Sequence, residues 1–190
     1  MSRSLISISL ASLLLTACSD TTLGTRSFVE SLDRIVIPGA PVSLGALSLP
    51  ELKFPLDLRN QEGYSALSIV TSVNIRSATF TISPDTDDPS LDEFADNNPD
   101  NFDFLSSVTL SLEATINGSI QRAQVASLPD GDPQIGTNAT ELNLVVDNVD
   151  IRDFVEASDV QLVVQANGTV PPDFVVIDPV LRFRVGVGIR

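Results

Sequence analysis

A strict alternation of apolar and polar residues, repeated along most of the chain, constrains the fold more than any other feature. It is clearest over residues 108–117, where Val, Leu, Leu, Ala and Ile alternate with Thr, Ser, Glu, Thr and Asn. Similar alternation runs through residues 52–58, 73–82, 142–146, 160–166 and 181–189. Because successive side chains of a β-strand point to opposite faces, this period of two predicts strands with one buried face.

Two of these segments also predict details of the sheet. Val73 and Ile75 share one phase of the alternation, but Ala78 continues in the other phase. This slip predicts a β-bulge around residues 76–77. Pro55 has no N–H to donate, so the strand that contains it is predicted to lie at an edge of the sheet.

Turn-forming residues separate the alternating segments. Asn117-Gly118 predicts a tight hairpin with residues 119–125 as the returning strand, and residues 129–133 (PDGDP) predict a loop. Asn167-Gly168 is expected to close another strand. The chain offers only short helices, expected at residues 89–94 and at residues 151–157.

Many short strands separated by turns are typical of a β-sandwich. We therefore predict an all-β fold, an antiparallel β-sandwich of the Ig-like or jelly-roll-like kind, formed by one domain over residues 29–190. An architecture of this kind carries no function with it.

The first eighteen residues form a different kind of segment. Arg3 supplies a positive charge, and residues 5–15 are an apolar stretch too short to span a bilayer. Leu15-Thr16-Ala17-Cys18 follows and resembles the lipobox of bacterial lipoproteins, which has an aliphatic residue, a small residue, Ala or Gly, and then Cys. The resemblance implies that residues 1–17 are a lipoprotein signal peptide, and that Cys18 is acylated and becomes the new N-terminus.

Acylation of Cys18 would hold the domain on a membrane, because each buried CH₂ of an acyl chain contributes about 0.8 kcal/mol. The chain has no second cysteine with which Cys18 could form a disulfide. Residues 18–28, rich in polar side chains, are predicted to be the lipidated cysteine and a flexible tether. What is known of lipoproteins favours the outer over the inner membrane of the bacterial envelope, because Ser19 rather than Asp follows the cysteine.

The composition excludes several classes of function. With 25 acidic against 11 basic residues, the net charge of −14 argues against nucleic-acid binding. The chain has no histidine, which excludes His-containing catalytic triads and His-ligated metals. We therefore predict that it is not an enzyme. Hydrolysis of glycosides by paired carboxylates is a remote alternative, since one Tyr and no Trp leave few sugar-binding platforms.

The acidic segment, residues 85–103, is the most unusual part of the mature chain. Carboxylates suit Ca²⁺, so one reading of this segment is a calcium site that uses Asp85, Asp87, Asp88 and Asp92. The spacing does not match an EF-hand. The plainer interpretation is a solvated loop with no cofactor.

Two further groups of residues could contribute to a cation site or to a partner-binding surface. A second acidic cluster at residues 147–153 could complete a cation site, but we favour a strand-to-helix connection in which Asp150 caps the helix. The phenylalanines in or beside the acidic segment (Phe94, Phe102 and Phe104) are expected to hold it against the core, with a partner-binding patch as the alternative.

Taken together, the sequence predicts a membrane-anchored bacterial lipoprotein with a non-catalytic domain. Its partners would be membrane lipid, through acylated Cys18, and a protein of the cell envelope. The alternative function is a Ca²⁺-dependent ligand-binding module that uses the acidic segment.

Overall fold

The computed structural model describes residues 21–37, 39, 46–48, 51–61, 63–64, 67, 69–83, 100–171 and 174–189. Within these ranges the chain forms ten β-strands, a 3₁₀ helix at Leu58–Asn60 and a short α-helix, α1, at Arg152–Glu156. The strands are β1 Thr21–Ser31, β2 Ile35–Ile37, β3 Ala46–Ser48, β4 Leu52–Pro55, β5 Val70–Ile82, β6 Leu105–Ile116, β7 Ser119–Leu128, β8 Glu141–Val146, β9 Gln161–Thr169 and β10 Val175–Ile189.

All of the strand pairs in these ranges are antiparallel, and the strands follow the order β1-β10-β5-β8-β7-β6-β9-β3. β2 pairs with β10 beyond the end of β1, and β4 pairs with β9 beside β3. β8 pairs with both β5 and β7, so it joins the two halves of the sheet. The sheet curls until the apolar faces of its halves enclose one core, which confirms the predicted all-β sandwich.

The core consists of the residues that the alternation predicts to point inward. Phe183 on β10, Leu110 on β6 and Leu162 on β9 are each 0% exposed. Val73 on β5 and Leu142 on β8 are also 0% exposed. One contiguous apolar cluster therefore holds the two halves together.

The predicted bulge and hairpin are both confirmed. Ser77 pairs with Arg182 while Ile75 pairs with Phe183, which leaves Arg76 as the extra residue of a β-bulge. Asn117 and Gly118 have φ angles of 52° and 77°, as a two-residue hairpin turn requires, and β7 follows directly. The strand with Pro55 lies at an edge of the sheet, as expected.

The predicted tether over residues 18–28 is wrong for most of its length. Thr21–Ser31 is strand β1, which pairs with β10 from Thr21 opposite Ile189 to Ser31 opposite Val180. Most of its described side chains are exposed, so the strand is held by backbone hydrogen bonds and needs no alternation. The domain therefore begins at or before Thr21, and residue 29 is not its boundary.

The prediction that Asn167-Gly168 ends a strand is also wrong, because both residues lie inside β9. The structure gives Gly168 a different role. A Cβ atom at this position would lie 2.1 Å from the backbone oxygen of Phe104. Glycine is therefore required here for close approach of two backbones, not for a turn.

The short helix α1 confirms the strand-to-helix interpretation of residues 147–153. The Oδ1 atom of Asp150 accepts the backbone N–H of Arg152 at 3.1 Å and that of Val73 at 2.9 Å. The N-cap position of α1 is Ile151, so Asp150 is not the cap itself. Its carboxylate satisfies one backbone N–H of the first turn and ties the helix to β5. The helix expected at residues 89–94 lies outside the described residues.

Candidate functional site

The residues that the sequence singles out for function lie outside the described part of the chain. This holds for Cys18 and for the proposed calcium ligands (Asp85, Asp87, Asp88 and Asp92). In the ranges that the structure describes, no three carboxylate, cysteine or histidine side chains come together in a way that could hold a metal ion. None of the helices in those ranges is long and apolar enough to span a membrane.

The described end of the acidic segment is held firmly against the sandwich. Phe102 is 0% exposed, and its N–H donates to the backbone oxygen of Ala139 at 2.9 Å. The Asp103 carboxylate accepts the N–H of Asn138 at 2.9 Å. Phe104 is also buried, with its ring 6.4 Å from that of Phe102. These two phenylalanines pack into the core, as expected, whereas Phe94 lies outside the described residues.

The carboxylates of the second acidic cluster are engaged separately. Asp147 accepts a hydrogen bond from Gln124 Nε2 at 3.0 Å, and Asp150 holds the backbone of α1. Asp153 lies 3.9 Å from the Arg152 Nε atom on the exposed side of the helix. The fold therefore does not bring these carboxylates together around one cation.

A groove of about 590 Å³ opens between the 3₁₀ helix, α1 and the start of β5. Its apolar lining includes Leu56, Leu67, Val70 and Val155. Two long-range hydrogen bonds hold its walls: Leu56 N donates to Val160 O at 3.2 Å, and Arg59 Nη1 donates to Glu156 O at 2.8 Å. A groove of this volume is in the range of small-molecule sites.

Tyr64 is the most unusual residue of the groove. Its side chain is 8% exposed, and its ring meets that of Phe28 edge-on, with the centroids 5.6 Å apart. Its buried hydroxyl has no hydrogen-bond partner in the described part of the chain. A buried hydroxyl normally has a partner, since leaving it unpaired costs about 1–3 kcal/mol.

The electrostatics of the groove keep this phenol neutral. Burial raises the pKa of the Tyr64 hydroxyl, and the nearby Glu156 carboxylate raises it further, while Arg59 acts in the opposite direction. Asp57 on the same rim is engaged by Asn60, whose Nδ2 atom lies 2.8 Å from Asp57 Oδ1. The phenol can therefore donate a hydrogen bond to an uncharged oxygen, in surroundings that disfavour an anion.

The segment that carries Tyr64 is fastened to the edge strand β1. Gln61 Nε2 donates to the backbone oxygen of Val29 at 3.1 Å and also to the Glu30 carboxylate. Burial raises the pKa of Glu30, against the lowering effect of its hydrogen bonds to Asp57 and Gln61. Gln61 thus ties the segment that follows the 3₁₀ helix to β1.

Sequence reasoning missed this groove entirely. Its described walls come from two segments that are far apart in the chain, Leu56 to Val70 and Val155 to Val160. Residues 59–69 show no alternation, so no periodic signal marks them. The one available sign was that Tyr64 is the only tyrosine of the chain.

A second polar cluster lies on the outer face of the β4-β9-β6-β7 half. Lys53 Nζ lies 2.5 Å from Glu113 Oε1, and Arg122 Nη2 lies 2.9 Å from Glu113 Oε2. Arg122 also pairs with Glu51. The hydrogen bond from Lys53 and the pairing with Arg122 hold the pKa of the Glu113 carboxyl below its usual range. These charged groups pair with one another. We therefore interpret the cluster as a structural network of ion pairs and not as a ligand-binding site.

Comparison with known proteins assigns no family. No family model matches the chain, and no curated protein matches it. Among solved structures, a chain of Desmodium yellow mottle tymovirus is similar at 14% sequence identity and a TM-score of 0.26. The similarity covers 100% of this chain and 98% of that chain. At so low a TM-score it supports no conclusion about fold or function.

Proposed function

We propose that this protein is a lipid-anchored bacterial lipoprotein whose β-sandwich is a non-catalytic interaction component of the cell envelope, held on the outer membrane. The observation that carries the proposal is the lipobox Leu15-Thr16-Ala17-Cys18 in a chain with no other cysteine. The absence of histidine from the sequence supports the non-catalytic part.

The start of the domain lies close to the proposed anchor. β1 begins at Thr21, three residues after Cys18. A fully extended connection of that length spans only about 10 Å. An acylated Cys18 would therefore hold the domain directly beside the bilayer, and not at the end of a long tether.

The register of the strands then orients the sandwich. Thr21 pairs with Ile189, and Val70 pairs with Val187, so the start of β1, the end of β10 and the start of β5 share one end, the anchor end. Ile82 ends β5 at the other end, where the acidic segment follows. Strand geometry separates the two ends by about 40 Å. The acidic segment would thus follow the end of the sandwich that lies farther from the anchor.

Replacing the lipobox cysteine tests the anchor directly. In Cys18→Ser we expect complete loss of lipid labelling and of the acyl mass on the N-terminal peptide, because the acylated thiol is gone. Labelled fatty acid fed to the bacterial host, followed by mass spectrometry, measures both. Ser19→Ala is the matched control and should be labelled as the unchanged protein is. Labelling that survives in Cys18→Ser contradicts the proposal.

Crosslinking in native membranes tests the interaction role. Capture of one discrete envelope protein in near-equal amount would support an assembly component. Recovery of the acylated protein as a lone monomer from crosslinked membranes would count against that part of the proposal, while leaving the anchor intact.

The groove supports a second candidate function, the binding of a small uncharged molecule that carries a hydrogen-bond-accepting oxygen. The buried hydroxyl of Tyr64 would donate to that oxygen, and the apolar wall of Leu67, Val70 and Val155 would cover the rest of the ligand. The groove carries both the Asp57 carboxylate and the Arg59 guanidinium, with Glu156 nearby, so its lining is not selective for an anion.

Tyr64→Phe tests this candidate, because it removes only the hydroxyl. If no residue of the protein pairs with that hydroxyl, we expect Tyr64→Phe to increase the free energy of unfolding by about 1 kcal/mol or more. Urea denaturation followed by circular dichroism measures the change. In ligand-observed NMR with monosaccharides and small amides, signals specific to the groove should disappear in this variant.

The opposite stability result removes the second candidate. A Tyr64→Phe protein that is less stable by about 1 kcal/mol would show that the hydroxyl has a partner within the fold. Asn60→Ala, on the exposed rim of the same groove, is the control for substitutions that merely alter its surface.

A further inference from the structure

Three arginines on the outer face of the β1-β10-β5 half form a basic patch, although the chain as a whole is strongly acidic. Arg182 and Arg184 lie on β10, and Arg76 is the extra residue of the β-bulge in β5 beside them. All three are exposed. None of them forms an ion pair or hydrogen bond with another described residue, and we call them the arginine face.

The strand register shows what surrounds these arginines. Ser27 and Asn74 flank Arg184, and Val29 and Ser77 flank Arg182. Val29 is 47% exposed. The outward positions of this region that the structure describes carry no carboxylate. The nearest acidic groups on these strands are engaged elsewhere, since Asp178 pairs with Arg34 at 3.1 Å.

The other basic side chains make the contrast clear. Lys53 and Arg122 pair with Glu113, Arg59 donates to Glu156 O, and Arg152 donates to Thr71 O. Arg26 is exposed, and it lies opposite Val185, whose side chain points into the core, so it belongs to the other face of the sheet. Among the described residues, unpaired positive charge on an outer sheet face is therefore concentrated on the arginine face.

The position of this face relative to the proposed anchor suggests its partner. β1 is the strand nearest Cys18, and it begins at Thr21. Arg184 pairs with Ser27, which lies six residues further along β1. Arg182 and Arg76 lie at the middle of β10 and β5, so the arginine face is at mid-length of the half of the sandwich that contains β1. Because β1 begins three residues after Cys18, an anchor there would keep this face of the sheet close to the membrane.

We infer that the arginine face docks onto anionic lipid headgroups of the membrane that holds the acylated Cys18. This inference rests on the proposed lipid anchor. Guanidinium groups pair with phosphate oxygens through two parallel hydrogen bonds, which suits a phospholipid surface.

The expected strength is considerable for a domain that is already tethered. Each arginine near an anionic surface favours the docked state about fivefold. Removing Arg182 and Arg184 together should therefore shift the balance between docked and undocked protein about 30-fold toward undocked. Because headgroup charges are screened by salt, concentrated NaCl should have the same effect.

A single introduced thiol makes the docking measurable in the full acylated protein, because Cys18 is the only native cysteine and its thiol would carry lipid. A fluorophore on Ser27→Cys reports on the arginine face. The matched control is a fluorophore on Gln165→Cys, an exposed position of β9 on the opposite half. The protein is reconstituted into phosphatidylcholine vesicles with or without phosphatidylglycerol, and a quencher is attached to lipid headgroups.

We expect the Ser27→Cys label to be quenched several-fold more than the Gln165→Cys label on vesicles with phosphatidylglycerol. The difference should disappear in concentrated NaCl and in the Arg182→Gln/Arg184→Gln variant, whose thermal unfolding should be unchanged because both side chains are exposed. Equal quenching of the two labels overturns the docking. Quenching of the Ser27→Cys label that is unchanged in the Arg182→Gln/Arg184→Gln variant overturns it as well.

The two proposals fail in different ways. A protein without an acyl mass on Cys18 overturns the anchor, and sedimentation of the same variants with the same vesicles then decides whether the arginine face binds lipid. An acylated protein whose two labels are quenched equally overturns the docking alone.

Discussion

Gly168→Ala is expected to lower the free energy of unfolding by about 3 kcal/mol or more, in the upper part of the range for overpacked interiors. The added Cβ atom would lie 2.1 Å from the backbone oxygen of Phe104 and 2.9 Å from the Cα atom of Leu105. Both obstacles are backbone atoms, so no side-chain rotation can relieve the clash. The pairing of β9 with β6 would have to separate locally, and urea denaturation measures the cost.

Gly24→Ala is the matched control. Gly24 also lies in a strand, but a Cβ atom there meets no atom within 4 Å. We expect this variant to change the stability by less than about 1 kcal/mol, in either direction. If Gly168→Ala is no less stable than Gly24→Ala, β9 and β6 do not approach as closely as the structure has them.

Phe102→Ala is expected to cost about 3–5 kcal/mol, the usual range for removing a buried aromatic side chain. Phe102 is 0% exposed, and it lies immediately before β6, at the described end of the acidic segment. The substitution would leave a cavity beneath that segment and weaken its attachment at Ala139. Thermal and urea unfolding of the purified protein measure the loss.

This substitution also separates the two roles considered for Phe102. A residue of a partner-binding patch would be accessible, and its loss would affect binding while leaving stability intact. Ile120→Ala is the control, because Ile120 is 76% exposed and should change stability by less than about 0.5 kcal/mol. If Phe102→Ala is as stable as Ile120→Ala, Phe102 is not part of the core.

The fold class could be read from the sequence because burial imposes a period on strands. Val108, Leu110 and Leu112 alternate with polar residues because one face of β6 meets the core and the other does not. The bulge at Arg76 was predictable for the same reason, since an extra residue shifts the phase. β1 could not be predicted in this way, because its inward positions include Arg26 and Glu30 and interrupt any apolar alternation. Backbone hydrogen bonds to β10 hold it as an edge strand without that pattern.

Gly168 shows a second limit of prediction from local sequence. Asn-Gly is a common turn sequence, and local preference alone indicates a turn there. The structure instead requires glycine at residue 168 because the backbone of Phe104 lies against it. Phe104 is 64 residues earlier in the chain, and the two residues meet only through the pairing of β6 with β9. The same Asn-Gly sequence at residues 117–118 does form a turn, because the two strands it joins pair with each other.

The sequence by itself determined the alternating strands, the hairpin at residues 117–118 and the short helix that follows Asp150. Each of these depends on residues that are close together in the chain. The tertiary structure alone decided the groove around Tyr64 and the arginine face, since the residues that form them come from separate strands and connections. Arg76 and Arg182 become neighbours only through the pairing of β5 with β10. Burial and charge complementarity act through space, so a surface assembled from distant segments leaves no periodic signal in any one of them.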